Sequence, residues 1–191
     1  MQFKKLSRKD KYTYNQFKKL YFKAFPKQER RPLSLFWLSS KLGKIDVFTL
    51  EKNKEFVGIL VTAKDKDIVW VDYLAISSKY RGQGLGSETL ERLKEYYYNS
   101  RIFLEVETPL DNVDNFHQRV KRINFYNQNG FNNSGLRVNC FDCDFTILSY
   151  NGKIKYQEYI NITKTTYGNL IYYLSNIKKI DDKFILSNQF N

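Results

Sequence analysis

Two cysteines and one histidine are all that 191 residues offer in the way of soft or imidazole ligands. With His117 alone, neither a histidine-rich metal site nor a Ser-His-Asp triad has material to work with. Cys140 and Cys143 form a single C-x-x-C, and one such pair without a second cannot supply the four ligands of a structural zinc site. Read along an alternating strand, residues three apart point to opposite faces, so the two thiols are expected to be small buried hydrophobes. No metal is expected. Long apolar runs are also missing: no stretch of 18 apolar residues occurs, which excludes a membrane-spanning helix. The opening MQFKKLSRKDK lacks the apolar stretch of a secretory signal, so a cytoplasmic location is expected. What the chain does have is aromatic bulk. Tyr and Phe contribute 15 residues each, and hydrophobic residues make up 42% of a 22.9 kDa chain, enough to bury the core of one folded domain with a small appendage. The net charge is +12, but the lysines are spread along the chain and the basic clusters are short. A lysine-rich solvated surface is the expectation, and a nucleic-acid partner is not.

The richest stretch runs from Val71 to Tyr97. Residues 68–76 are almost continuously apolar apart from Asp72, which suits a strand covered on both faces. Three glycines follow within Arg81-Gly82-Gln83-Gly84-Leu85-Gly86, and Leu90, Leu93 and Tyr97 then recur at helical spacing. A glycine loop opening onto a helix N-terminus, with free backbone N–H groups and the positive end of the helix dipole, is a seat for phosphate. A dinucleotide-binding fingerprint fits poorly. Five residues separate the strand from the first glycine, and Ser87 stands where a third glycine or alanine belongs.

The stretch instead resembles the GCN5-related N-acetyltransferase (GNAT) family. Leu74-Ala75-Ile76 followed by Arg81-Gly82-Gln83-Gly84-Leu85-Gly86 is similar to that family's Q/R-x-x-G-x-G/A loop after a hydrophobic triplet. Ile123-Asn124-Phe125-Tyr126-Asn127-Gln128-Asn129-Gly130-Phe131 looks like its "(L/F)-Y-x-x-x-G-F", and Leu104-Glu105-Val106 lies between the two. The resemblance covers residues 1–150 by element order and is motif-specific from Val71 to Phe131.

In order, the chain reads as a short strand (2–6), a helix ending before Pro26, and a loop from Phe25 to Pro32. A helix over 33–42 and three antiparallel strands (46–51, 56–63 and 67–76) follow. After the glycine loop and its helix comes a strand over 101–107, parallel to its predecessor because a helix connects them. Residues 108–117 look like an insertion, and a helix running to Asn127 is capped by Gly130. Two closing strands, 131–139 and 142–149, complete the set. The expected class is α+β: a mixed, mostly antiparallel twisted sheet of about seven strands flanked by helices. Residues 1–150 form the acetyltransferase domain. Residues 151–191 form a helical extension, broken at Gly168-Asn169, that packs on the core or on a second copy in a homodimer.

The resemblance implies acetyl transfer from acetyl-CoA to an amine acceptor, with acetyl-CoA as co-substrate. It assigns pyrophosphate binding to the loop Arg81, Gly82, Gln83, Gly84, Leu85, Gly86 and Ser87. Leu74, Ala75 and Ile76 meet the pantetheine arm where two parallel strands part, and the Ile76 N–H polarises the thioester carbonyl. Glu105 takes the place of a general base and Tyr126 that of the acid that protonates the leaving thiolate. Phe25, Glu29, Asp72 and Glu107 are candidates for the acceptor pocket, although strand-end or solvated carboxylates are the alternative for the acidic ones. The family's asparagine seven residues before the tyrosine is here Arg119, so that role is unassigned. A non-catalytic acyl-CoA sensor keeps the same loop and stays open.

Overall fold

Apolar alternation between residues 45 and 76 yields three long strands, and charged two-residue turns fold them back on one another. The computed structural model describes residues 1–110 and 113–180. Strand β1 (Gln2–Lys5) pairs antiparallel with β2 (Ile45–Lys52), which is followed by β3 (Glu55–Asp65) and β4 (Ile68–Ile76) as an antiparallel meander. Asn53 and Lys54 take positive φ values of 52° and 66°, the conformation a tight hairpin between twisted strands requires. Helix α1 (Lys11–Ala24) is capped by Asp10, whose carboxylate accepts from the Thr13 N–H at 3.0 Å, and α2 (Leu33–Lys41) starts directly after Pro32. Helix α3 (Leu85–Tyr96) carries the chain to β5 (Arg101–Glu107), parallel to β4. Helix α4 (Phe116–Gln128) leads to β6 (Asn132–Cys140) and β7 (Cys143–Tyr150), then come α5 (Tyr156–Ser175) and β8 (Lys178–Ile180).

The described residues form one eight-stranded sheet in the order β1-β2-β3-β4-β5-β7-β6-β8, antiparallel except at β4–β5. The expected fold class is the observed one. The additional strand, β8, comes from the extension and pairs with β6 through Arg137↔Ile180. Residues 111 and 112, inside the expected insertion, and 181–191, the end of the expected extension, lie outside the described residues. Among the described residues no helix is long and apolar enough to cross a membrane.

Each face of the sheet carries its own core. On one, Phe17 and Tyr21 of α1, Phe36 of α2 and Tyr159, Ile160 and Tyr167 of α5 cover Ile59, Trp70 and Phe103. On the other, Leu85, Leu90 and Leu93 of α3 and Ile123 and Phe125 of α4 cover Leu60, Val69 and Leu104. Helix α5 is interrupted at Gly168, whose φ of 84° and ψ of 167° are not helical, where the sequence predicts a break. The thiols depart from expectation. Phe141 and Asp142 form a two-residue turn with φ values of 49° and 58°, so Cys140 and Cys143 are cross-strand partners that face each other. Cys140 is buried, Cys143 is half-buried, and both are free. The alternation argument treated as one strand what is a hairpin.

Candidate active site

Strands β4 and β5 are hydrogen-bonded only from Ile68↔Arg101 to Val71↔Leu104, although both run on, to Ile76 and Glu107. The cause lies in β4 itself. Its register against β3 passes from Thr62↔Val71 to Val61↔Tyr73, leaving Asp72 without a partner as a β-bulge. A bulge bends and twists its strand, and the end of β4 swings away from β5. Ser77 N–H donates to Val57 O of β3 at 2.8 Å. By strand alternation, Ile76 and Leu74 therefore turn their amides to the opposite edge, toward the gap, while Ala75 stays on β3. A cavity of about 810 Å³ opens at this gap, lined by Leu74, Ala75, Arg81, Glu105 and Tyr126 among others.

Beside the gap, Gly82 and Gly84 adopt φ values of 75° and 73°, and a Cβ on either would meet no atom within 4 Å. Gly84 is the N-cap of α3, with no side-chain cap, and the amides from Gly82 to Ser87 donate to no acceptor among the described residues. Six consecutive free amides at a helix N-terminus are a cradle for an anion. Gly86 serves packing: a Cβ there would come within 3.0 Å of Phe125 Cζ, so its smallness lets α4 approach α3. Arg81 curls back to donate from Nε to Ile76 O at 3.1 Å.

Phe25 and Glu29, from the connection between α1 and α2, and Asp72, Glu105 and Glu107 all line the same cavity. Arg31 pins that connection. Its Nη1 donates to Asp72 Oδ1 and to the Tyr73 hydroxyl, both at 3.0 Å, and its guanidinium lies 4.3 Å from the Tyr167 ring centre. The Arg31 and Asp72 side chains are only 14% and 2% exposed, a nearly desolvated pair that Tyr167 completes by donating its hydroxyl to Asp72 Oδ2. Burial outweighs these partners and leaves the Asp72 carboxyl above its usual range. Glu105 has no cation within ion-pair distance among the described residues. Its Oε1 accepts from the Tyr159 hydroxyl at 2.5 Å. Burial pushes its carboxyl up to about 7, against the lowering effect of Tyr159 and of the Arg31 charge. Burial also raises Glu29.

Tyr126 lines the cavity from α4, and among the described residues its hydroxyl has no hydrogen-bond partner. Burial raises its pKa, so the phenol stays protonated at neutral pH. Glu107 is occupied: Arg119 Nη2 and Arg122 Nη1 donate to its two oxygens at 2.9 and 3.1 Å. Arg119 also reaches Thr108 O and Asn115 Oδ1, so it fastens the start of α4 to the end of β5. No group of three His, Cys, Asp or Glu side chains that would hold a metal occurs among the described residues.

Sequence reasoning missed three members of this cluster: Arg31, Tyr159 and Tyr167. For Arg31 the signal was a cation inside the loop expected to shape the pocket. Tyr159 and Tyr167 were legible as part of a helical stripe but not as donors to carboxylates, because that depends on which sheet face α5 covers.

The sequence model of the acetyltransferase (GNAT) family matches residues 11–131. The chain is 37% identical over 86 residues to YjbC, an acetyltransferase of Bacillus subtilis (strain 168), a match covering 45% of this chain and 41% of that protein. It therefore spans well under half the length of this curated relative. A GNAT-family acetyltransferase from Bacteroides thetaiotaomicron superposes with a TM-score of 0.73 at 22% identity, over 88% of this chain and 99% of that one. An aminoglycoside 6′-N-acetyltransferase complexed with coenzyme A gives 0.58 at 14% identity, over 78% and 96%.

Proposed function

Because the chain belongs to the acetyltransferase (GNAT) family, we propose that it is an acetyl-CoA-dependent N-acetyltransferase that modifies a primary amine on a small molecule or a peptide terminus. One observation carries the reading: Glu105 of β5 and Tyr126 of α4 open on a single cavity at the point where β4 and β5 part. Acetyl-CoA supplies an acetyl group held as a thioester. The residues present fit it. The free amides of Gly82 to Ser87 suit its pyrophosphate, and the gap-facing backbone of Leu74 and Ile76 suits the amides of its pantetheine arm. The Ile76 N–H is the donor we assign to the thioester oxygen, where negative charge grows during attack.

An amine attacks only when neutral. Glu105, with its pKa near 7, is ionised in a useful fraction at neutral pH and basic enough to take the proton that the amine sheds as its nitrogen bonds to the acetyl carbon. Tyr126 gives a proton to the sulfur as the carbon–sulfur bond breaks, and the free thiol leaves. Phe25 and Glu29, with the Arg31-pinned loop that carries them, wall the acceptor side.

The test is release of free thiol from acetyl-CoA across a panel of primary amines, alongside thermal stabilisation by acetyl-CoA. Turnover with at least one amine is expected, and Gly84→Val is expected to abolish the stabilisation. Stabilisation with no turnover on any amine would make the protein an acyl-CoA sensor. Stabilisation that survives Gly84→Val unchanged would remove the loop from the cofactor site.

A further inference from the structure

We propose that the C-terminal helix completes the base: Tyr159 of α5 is a positioning residue that holds Glu105 in place and in its charged form. The inference rests on the reading of Glu105 as the base. Tyr159 lies outside residues 11–131, the segment matched by the family model, and so belongs to what this chain adds to the common core.

The geometry is a single donor on a single oxygen. The Tyr159 hydroxyl reaches Glu105 Oε1 at 2.5 Å, and Oε2 has no partner among the described residues. A phenol whose own pKa is raised well above 10 by burial acts at neutral pH only as a donor. Its hydrogen bond therefore favours the carboxylate and leaves the second oxygen available to the cavity. The ring is fixed. Tyr159 is 1% exposed, and its centroid lies 6.0 Å from Phe103 and 6.4 Å from Trp70, so the donor cannot swing aside. The other titratable or charged groups around Glu105 come from four elements or connections. They are Asp72 of β4, Arg31 and Glu29 of the α1–α2 connection, Cys140 of β6 and Tyr159 itself. Asp72 and Glu29 oppose ionisation of Glu105, while Arg31 favours it through its charge alone, its Nη1 donating to Asp72 and Tyr73 and not to Glu105. Tyr159 is the one direct hydrogen-bond donor to Glu105 among the described residues, and without it burial would leave the carboxyl protonated at neutral pH.

Tyr167 supplies the control. It lies on the same helix, is comparably buried, and gives its hydroxyl to the neighbouring Asp72. The experiment follows the Glu105 carboxyl carbon by NMR in protein labelled with ¹³C-glutamate, the resonance being identified by its loss in Glu105→Gln. No acceptor is needed. In Tyr159→Phe the titration midpoint is expected to rise by about one pH unit or more, the scale of a lost hydrogen bond to a charge. In Tyr167→Phe it is expected to stay or to fall, because a less ionised Asp72 repels Glu105 less. A fluorinated tyrosine at 159, a stronger donor of similar shape, is expected to lower the midpoint, which keeps the test available should the Phe variant fold poorly. A midpoint in Tyr159→Phe equal to wild type, with or without loss of thermal stability, overturns the proposal and reduces Tyr159 to a core aromatic. Failure of the underlying reading looks different: Glu105→Gln would then release thiol as fast as wild type whatever the midpoints do.

Discussion

As the proposed acid and base, Tyr126 and Glu105 each make a separate prediction. Tyr126→Phe keeps the ring in its place between Phe125 and Phe131 and removes only the hydroxyl. The expected loss is roughly 10²–10⁴-fold in kcat, the usual worth of a general acid, with acetyl-CoA affinity retained. An unchanged kcat where chemistry limits the rate would leave that proton to water. Glu105 predicts a stability effect. Its carboxyl titrates at about 7 in the folded chain against 4.5 for the ordinary side chain. Between those values the folded state holds a proton that the unfolded state has released. The stability this contributes is full below pH 4.5 and is lost as pH rises through 7. Glu105→Gln escapes that loss. Relative to wild type it is expected to gain stability from pH 4.5 to 7 and to level off above, by on the order of 3 kcal/mol at about 1.4 kcal/mol per unit. Urea unfolding across that range measures it, and a pH-independent difference would mean that Glu105 ionises freely in the folded protein.

At the scale of elements, the sheet is built around one bend. Asp72 bulges out of β4, β5 loses contact beyond Leu104, and the opening so made is the cavity. Gly58 on β3 holds the far end of the same strand, since a Cβ there would lie 2.6 Å from Ala75 O. A backbone oxygen cannot step aside, so Gly58→Ala is expected to cost about 1–3 kcal/mol and to weaken acetyl-CoA binding by displacing β4 where it borders the gap. Chemical denaturation and cofactor titration of the same variant check both halves; wild-type values in each would show that β4 moves freely. The extension behaves as an element of this core. Tyr159, Ile160, Ile162 and Tyr167 are all buried, and they cover Trp70 and Phe103. A chain ending at Tyr150 is therefore expected to unfold at a lower temperature than the full chain. A melting temperature equal to that of the full chain would make residues 1–150 a self-sufficient domain.

For the whole molecule, the charge of +12 creates a field that reaches beyond any one site. Under the proposed function acetyl-CoA is a polyanion and the acceptor an amine, so the two would feel that field with opposite sign. With a screening length of about 10 Å at 0.1 M salt, raising the ionic strength is expected to weaken acetyl-CoA binding while leaving kcat at saturation unchanged. Acetyl-CoA titrations at a series of KCl concentrations measure this. Salt-independent affinity would assign the charge to solubility alone.

The fold class and the glycine loop were within reach of the sequence, because each rests on local patterning, whereas Glu105 and Tyr126 came forward as candidates through the family resemblance. Apolar runs make buried strands, glycines mark positive φ beside a helix start, and the spacing of tyrosine, glycine and phenylalanine sets the end of a helix. The two closing strands were expected, but the placement of their turn on Phe141 and Asp142, two non-glycine residues at positive φ, which pairs Cys140 with Cys143, was not. The strand β8 is three residues long and is defined by its partner β6. Above all, the environment of the carboxylates was decided in three dimensions. Arg31, Asp72 and Tyr167 stand far apart in the chain, as do Glu105 and Tyr159, and the desolvation that moves Glu105 to about 7 exists only once α5 lies across β4 and β5. Residue type sets which proton can move, and burial and its partners set the pH at which it does.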